Sequence, residues 1–175
     1  MPFAATTLGS RYARIETLPV RVLLHSIRSL HNVGAFFRTA DAVRAEAVLL
    51  SGITGRPPRR EISKTALGAE EVVPWTAVDD AAAAVESLRR DGYEVAAIET
   101  RPRAVDLFDW QPRFPVCVMF GHEVEGLEAT LVERADTCVR LPMLGRKHSL
   151  NVATAGGVVL FELLRKYRMS IEGRP

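Results

Sequence analysis

The sequence predicts an α/β protein, a mostly parallel sheet with helices on both faces. Three observations carry this. Apolar runs of about four to eight residues recur without the alternation of half-exposed strands. Helical stretches separate these runs, as crossovers between parallel strands do. The 175 residues suit one domain, since about 100–200 is common.

After a short lead (1–19), VRVLLHSI (20–27) reads as the first buried strand. Asn32 can cap a helix over 33–44 that turns Phe36, Phe37 and Ala40 to the core. AEAVLLSG (45–52) is a second buried strand, followed by the Gly/Pro/Arg loop GITGRPPRR. ISKTALGAE predicts a short helical turn, and EVVPW (71–75) a strand ending near Pro74. Residues 77–90 predict a helix with an acidic start and Arg89–Arg90 at its end. YEVAAIET (93–100) is a strand, and RPRAVDLFDWQPRF a long loop with one short apolar segment. PVCVMF (115–120) is a buried strand, 128–135 a short helix, TCVRLP (137–142) a short strand and LGRKH a loop. The last helix starts at Ser149 or Leu150 and runs to about 168.

Composition excludes several classes. A 47% hydrophobic content argues against a mainly disordered chain. The longest nearly apolar stretch, Ala155 to Leu164, is broken by Glu162 and falls short of the ~20 residues of a membrane span. The start, MPFAATTLGSRYAR, lacks the apolar core of a signal peptide, so a cytoplasmic protein is expected. Cys117 and Cys138 read as buried free thiols. With no CxxC, HxxxH or HExxH spacing, no metal site is expected.

The net charge of +2 hides a division. Residues 1–60 carry a net +6, 61–137 a net −9 and 138–175 a net +5. Basic ends that fold together would present one positive face to a polyanion. Solvated helices carrying unpartnered charge fit the same numbers. Of the 23 basic residues 20 are arginine, which suits bidentate phosphate contacts.

Ligands of such sheets bind at the carboxyl ends of strands. GxGxxG, GxxxxGK[ST] and GxSxG are all absent, which disfavours a standard dinucleotide site, a P-loop and a serine hydrolase. Three other segments pair glycines with polar groups at strand exits. They are HNVGAFFRTADA (31–42), FGHEVEGL (120–127) and LPMLGRKHSLNVATAGGVVLFE (141–162).

Together these resemble the three motifs of the SpoU (TrmH-like) RNA 2′-O-methyltransferases of the SPOUT superfamily. The first, N-x-G-x-x-x-R-T-A, matches Asn32, Gly34, Arg38, Thr39 and Ala40. The second, F-G-x-E-x-x-G-L, matches Phe120, Gly121, Glu123, Gly126 and Leu127. The third, P-M-x-G-x-x-x-S-L-N-V, matches Pro142, Met143, Gly145, Ser149, Leu150, Asn151 and Val152. The resemblance spans about residues 20–165. It implies a C-terminal deep trefoil knot, S-adenosyl-L-methionine as cofactor, and a homodimer in which the first motif meets the partner's cofactor. It also implies a ribose 2′-hydroxyl of tRNA or rRNA as substrate, and tRNA is the preferred expectation.

The resemblance makes Arg38 the catalytic residue. An arginine stays protonated, so binding a phosphate and stabilising the developing alkoxide is favoured over taking the proton. Asn32 would fix the segment presenting Arg38, and Glu123 would orient Arg38, bind substrate or hold the second loop. Ser149 and Asn151 would cap the last helix and orient RNA or the arginine. Glu99, Thr100, Gly121, Gly126, Leu141, Met143, Gly145 and Leu150 would line the cofactor pocket, with Gly121, Gly126 and Gly145 allowing close backbone approach. Gly156–Gly157 implies close helix packing, with a dimer interface as one setting. RNA would meet Arg11, Arg14, Arg28, Arg56, Arg59, Arg60, Arg146 and Lys147. No separate RNA-binding domain is expected. A catalytically silent RNA-binding relative and a base methyltransferase are the competing readings.

Overall fold

Seven strands form one parallel sheet in the computed structural model, which describes Tyr12 and residues 14–172. In chain order these are β1 (Leu18–His25), β2 (Ala45–Ser51), β3 (Trp75–Val78), β4 (Glu94–Ile98), β5 (Val105–Asp106), β6 (Val116–Phe120) and β7 (Thr137–Arg140). The helices are α1 (Leu30–Val43), α2 (Arg60–Ala66), α3 (Ala69–Val72), α4 (Ala81–Arg90), α5 (Ala129–Arg134) and α6 (Val152–Glu172). Spatial order is β3-β2-β1-β6-β4-β7-β5, and every pair is parallel.

Both faces are covered, as the uniformly apolar strands require. Val20, Val22 and Leu24 of β1 face the cluster of Phe36 and Phe37 from α1 with Val159, Leu160 and Leu163 from α6. Leu23, Val95, Cys117 and Met119 face the other way, against Val85 and Leu88 of α4 and Leu131 of α5. Full burial of each such side chain stabilises by about 1.5–3 kcal/mol. Among the described residues no helix is long and apolar enough to cross a membrane.

Several predicted boundaries move for local reasons. Ser29, not Asn32, caps α1: its side chain accepts the Asn32 N–H, which frees the Asn32 amide. Two helices, α2 and α3, replace the single turn read in ISKTALGAE, divided at Leu67 and Gly68, both in the left-handed region (φ 54° and 92°). The third strand begins after Pro74 rather than ending there, since Pro74 offers its carbonyl to Val48 N–H but has no N–H of its own. Asp80 caps α4 through Ala83 N–H, so the helix starts at Ala81 rather than Ala77. The long loop contains β5, a two-residue strand held against β7 by Leu107 N–H donating to Arg140 O (2.8 Å).

The loop that follows is anchored from three sides. Buried Glu94 accepts from Trp110 Nε1 (3.0 Å), Thr137 Oγ1 (3.0 Å) and Arg113 N–H (2.6 Å). Buried Lys166 of α6 donates to the carbonyls of Phe108 and Trp110. At the other end of the chain, Arg11 lies outside the described residues.

Candidate active site

In a parallel sheet, every loop that leaves a strand's carboxyl end emerges on the same edge. The three motif segments follow β1, β6 and β7: the first lies in α1, the second starts at the end of β6 and the third crosses a loop into α6, and β6 and β4 lie between β1 and β7 in the sheet. Glu123, in the loop after β6, joins them. Its carboxylate accepts Arg28 N–H (3.0 Å), Ser29 N–H (2.9 Å) and Asn32 Nδ2 (2.9 Å). Asn151 Nδ2 donates to Asn32 Oδ1 (3.1 Å), and Asn151 Oδ1 accepts Ala153 N–H (3.0 Å) and Thr154 N–H (3.2 Å). One chain of side chains thus runs from the second motif through the first to the third.

This network sets the charge of Glu123. Partial burial works to raise its pKa, but the donors from Ser29, Arg28 and Asn32 outweigh it and hold the group at about 2. Glu123 is therefore an anion whose donors are all neutral N–H groups.

Beside the network lies a cleft of about 240 Å³. Leu141, Met143, Leu150 and Val152 give it an apolar wall, and the strand exits at Glu99–Thr100 and Gly121 give it main chain. The loop on its other side is tight. A Cβ on Gly121 would strike the backbone of Gly126 and Leu127, and Gly126 adopts φ +73°, open to glycine. The Glu99 carboxylate accepts Leu127 N–H, and His122 Nδ1 accepts the N–H groups of Val124 and Glu125 (both 3.2 Å).

Known families settle what this arrangement belongs to. The model of the SpoU rRNA Methylase family matches residues 19–161. The chain belongs to the SpoU rRNA methylase family. It is 37% identical over 153 residues to the 23S rRNA (guanosine-2′-O-)-methyltransferase RlmB of Pseudomonas syringae pv. tomato, covering 87% of this chain and 61% of that protein. This chain therefore spans about three-fifths of the length of that relative. An AdoMet-bound rRNA methyltransferase from Sinorhizobium meliloti has a TM-score of 0.74 at 30% identity, over 83% of this chain and 56% of that one. A chain solved for insight into the 2-OH methylation of C/U34 on tRNA has a TM-score of 0.77 at 28% identity, over 89% of this chain and 97% of that one.

Within this SpoU chain, the structure brings most predicted site residues together and separates a few. Glu99, Thr100, Gly121, Gly126, Leu141, Met143 and Leu150 line the cleft, as do Glu123 and Ser149. Gly145 does not, and a Cβ there would meet nothing within 4 Å, so no close approach demands that glycine. Ser149 does not cap α6, because the helix begins at Val152 and Asn151 supplies the cap. Glu123 does not orient Arg38 but ties the second loop to the first. Arg38 is exposed, makes no side-chain bond among the described residues and lies outside the cleft lining. It follows Asn32 by six residues on α1, about 240° around a helix of 3.6 residues per turn.

Of the predicted RNA contacts, Arg28, Arg56, Arg59, Arg60, Arg146 and Lys147 are exposed on carboxyl-edge segments, with Arg56 facing Asp79 at 3.5 Å. Arg14 precedes β1 and so sits at the opposite edge. Sequence reasoning missed Arg140 and His122, which also line the cleft; His148, which flanks the third motif and is a candidate contact to phosphate or ribose, lines it too. Arg140 precedes the third motif's Leu-Pro, a position the motif leaves unspecified.

Proposed function

We propose that this chain transfers a methyl group from S-adenosyl-L-methionine to a ribose 2′-hydroxyl of RNA, with ribosomal RNA the leading substrate class. The observation that carries this reading is the Asn32–Glu123–Asn151 network beside an apolar cleft built from strand exits. The lining fits the cofactor: Leu141, Met143 and Leu150 suit a flat adenine, and main chain at Gly121 suits its polar edge. When bound, the cofactor supplies a methyl group already activated on a sulfonium.

The chain's own task is to align the acceptor and favour its alkoxide. Glu123 and Asn151 fix Asn32, and Arg38 provides a permanent cation for a phosphate and the developing oxyanion. Arg38 is exposed and lies outside its own chain's cleft lining, which supports a homodimer in which a second copy brings it to the cleft. An exposed stripe on α6, with Val158 (38%), Phe161 (54%) and Met169 (52%), supplies apolar surface for such a partner. The trefoil knot is part of the same reading, supported by family membership and by β7 lying between β4 and β5.

Ribosomal RNA takes precedence over the tRNA expected above because relatives at 35–37% identity are named 23S rRNA (guanosine-2′-O-)-methyltransferases. tRNA stays as the second reading, favoured by the tRNA-methylation chain that this one covers almost end to end. The test offers tritiated S-adenosylmethionine with unmodified rRNA and tRNA in parallel. Label in rRNA is expected. Label in tRNA alone reverses the substrate order. No label in either, with cofactor bound, leaves the silent RNA binder.

A further inference from the structure

Outside the cleft, a second side-chain cluster joins the same loops. His25 ends β1 and pairs in register with Ser51, the last residue of β2. His25 Nδ1 lies 2.9 Å from Ser51 Oγ, and its Nε2 lies 3.2 Å from Glu128 Oε1. A carboxylate oxygen only accepts, so Nε2 carries a hydrogen and donates it. Serine, histidine and carboxylate in contact are the members of a hydrolytic triad. Here Ser51 is fully buried, so no substrate reaches it, and the cluster acts by holding chain segments together.

Glu128 carries this tie to the far end of the second motif. It occupies the position before α5, where a side chain commonly caps the helix, yet it makes no side-chain cap bond. Its carboxylate turns to His25 instead, its one side-chain bond among the described residues. The loop from Gly121 to Glu128 is thereby held at three points. Glu123 accepts from Arg28, Ser29 and Asn32, Leu127 N–H donates to Glu99, and Glu128 accepts from His25. The first and third anchors both lie on the segment leaving β1. That segment is itself fixed by the exit of β2: Ser26 N–H donates to Ser51 O (3.1 Å), and Thr54 Oγ1 accepts Ile27 N–H (3.0 Å). Residues Gly121 to Gly126 form a wall of the cleft, whereas His25 and Glu128 are not part of its lining.

We infer that His25 is a positioning residue, which through Glu128 sets where the second-motif loop stands against the cleft. The Glu128 side chain is 67% exposed, so the bond adds little to global stability, and its effect is on the local order of the loop. The inference rests on the methyltransferase reading for the ligand of the cleft. Two variants test it. Glu128→Ala removes the acceptor at an exposed position, and Glu128→Gln keeps an oxygen that accepts the Nε2–H. Hydrogen–deuterium exchange of the Gly126 and Leu127 amides should quicken about tenfold in Glu128→Ala and stay near wild type in Glu128→Gln. Calorimetry should show S-adenosylhomocysteine binding Glu128→Ala about threefold or more weakly, with the urea midpoint unmoved. Wild-type exchange or wild-type affinity in Glu128→Ala overturns the inference. So does an equal change in Glu128→Gln, which would assign the effect to charge, or a lowered urea midpoint, which would make the tie a general stabiliser. If wild type binds no S-adenosylhomocysteine, the methyltransferase reading fails, and the exchange rates alone decide whether His25 holds the loop.

Discussion

Glu123 shows how a single carboxylate can join two loops without meeting a cation. Its pKa of about 2 lies below the ordinary 4.5, so its stabilising contribution is fully present above about pH 4.5 and is lost as pH falls toward 2. Melting temperature should therefore drop more steeply through that window in wild type than in Glu123→Gln; parallel slopes would remove Glu123 from the stability account. Asn151→Ala deletes the cap of the longest helix and should cost about 0.5–2 kcal/mol in urea denaturation. Cys117 is fully buried, and burial pushes its thiol up to about 12. It should resist a thiol reagent until the protein unfolds, and rapid native-state labelling would contradict its placement. At this scale the sequence identified the right residue types but not their partners. The motif placed Asn32 and Glu123 near one another. It could not show that Ser29 takes the capping role and leaves the Asn32 amide free for Glu123.

Among the elements, α1 and α6 meet where Gly156 lies against Phe36. A Cβ at Gly156 would collide with that ring, whereas one at Gly157 would meet nothing within 4 Å. The paired glycines thus have different causes, and the first is packing within the chain rather than a dimer contact. Gly156→Ala should destabilise by about 1–3 kcal/mol despite alanine's better helix propensity, with a smaller effect at Gly157, both read from urea denaturation. Gly34 of the first motif serves similarly, because a Cβ there would strike Thr65 and Ile62 of α2. The buried strands were legible because apolar runs covered on both faces have few alternatives. β5 was not, since two residues carry no periodicity and the strand is defined by its partner β7. Boundaries at Pro74 and Asp80 moved because proline's missing N–H and a side-chain cap outweigh average propensity.

For the molecule as a whole, the divided charge and the parallel topology bear on the same surface. Arginines from both basic ends reach the carboxyl edge, although Arg14 shows that not all of the basic lead does so. Sedimentation should give a dimer at micromolar concentration; a monomer would leave Arg38 without a cleft to serve. Arg38→Ala should abolish transfer while S-adenosylhomocysteine affinity changes little, because Arg38 lies outside the lining of its own cleft. The RNA class was not legible in the motifs, which describe the cofactor side and the reacting group rather than the sequence around it. Whether the acceptor is a ribose hydroxyl is read from the position of the transferred label. RNA labelled with tritiated methyl should be digested to nucleosides and resolved by mass spectrometry. Label should be confined to a 2′-O-methylated nucleoside; label on a base would rule out a ribose acceptor.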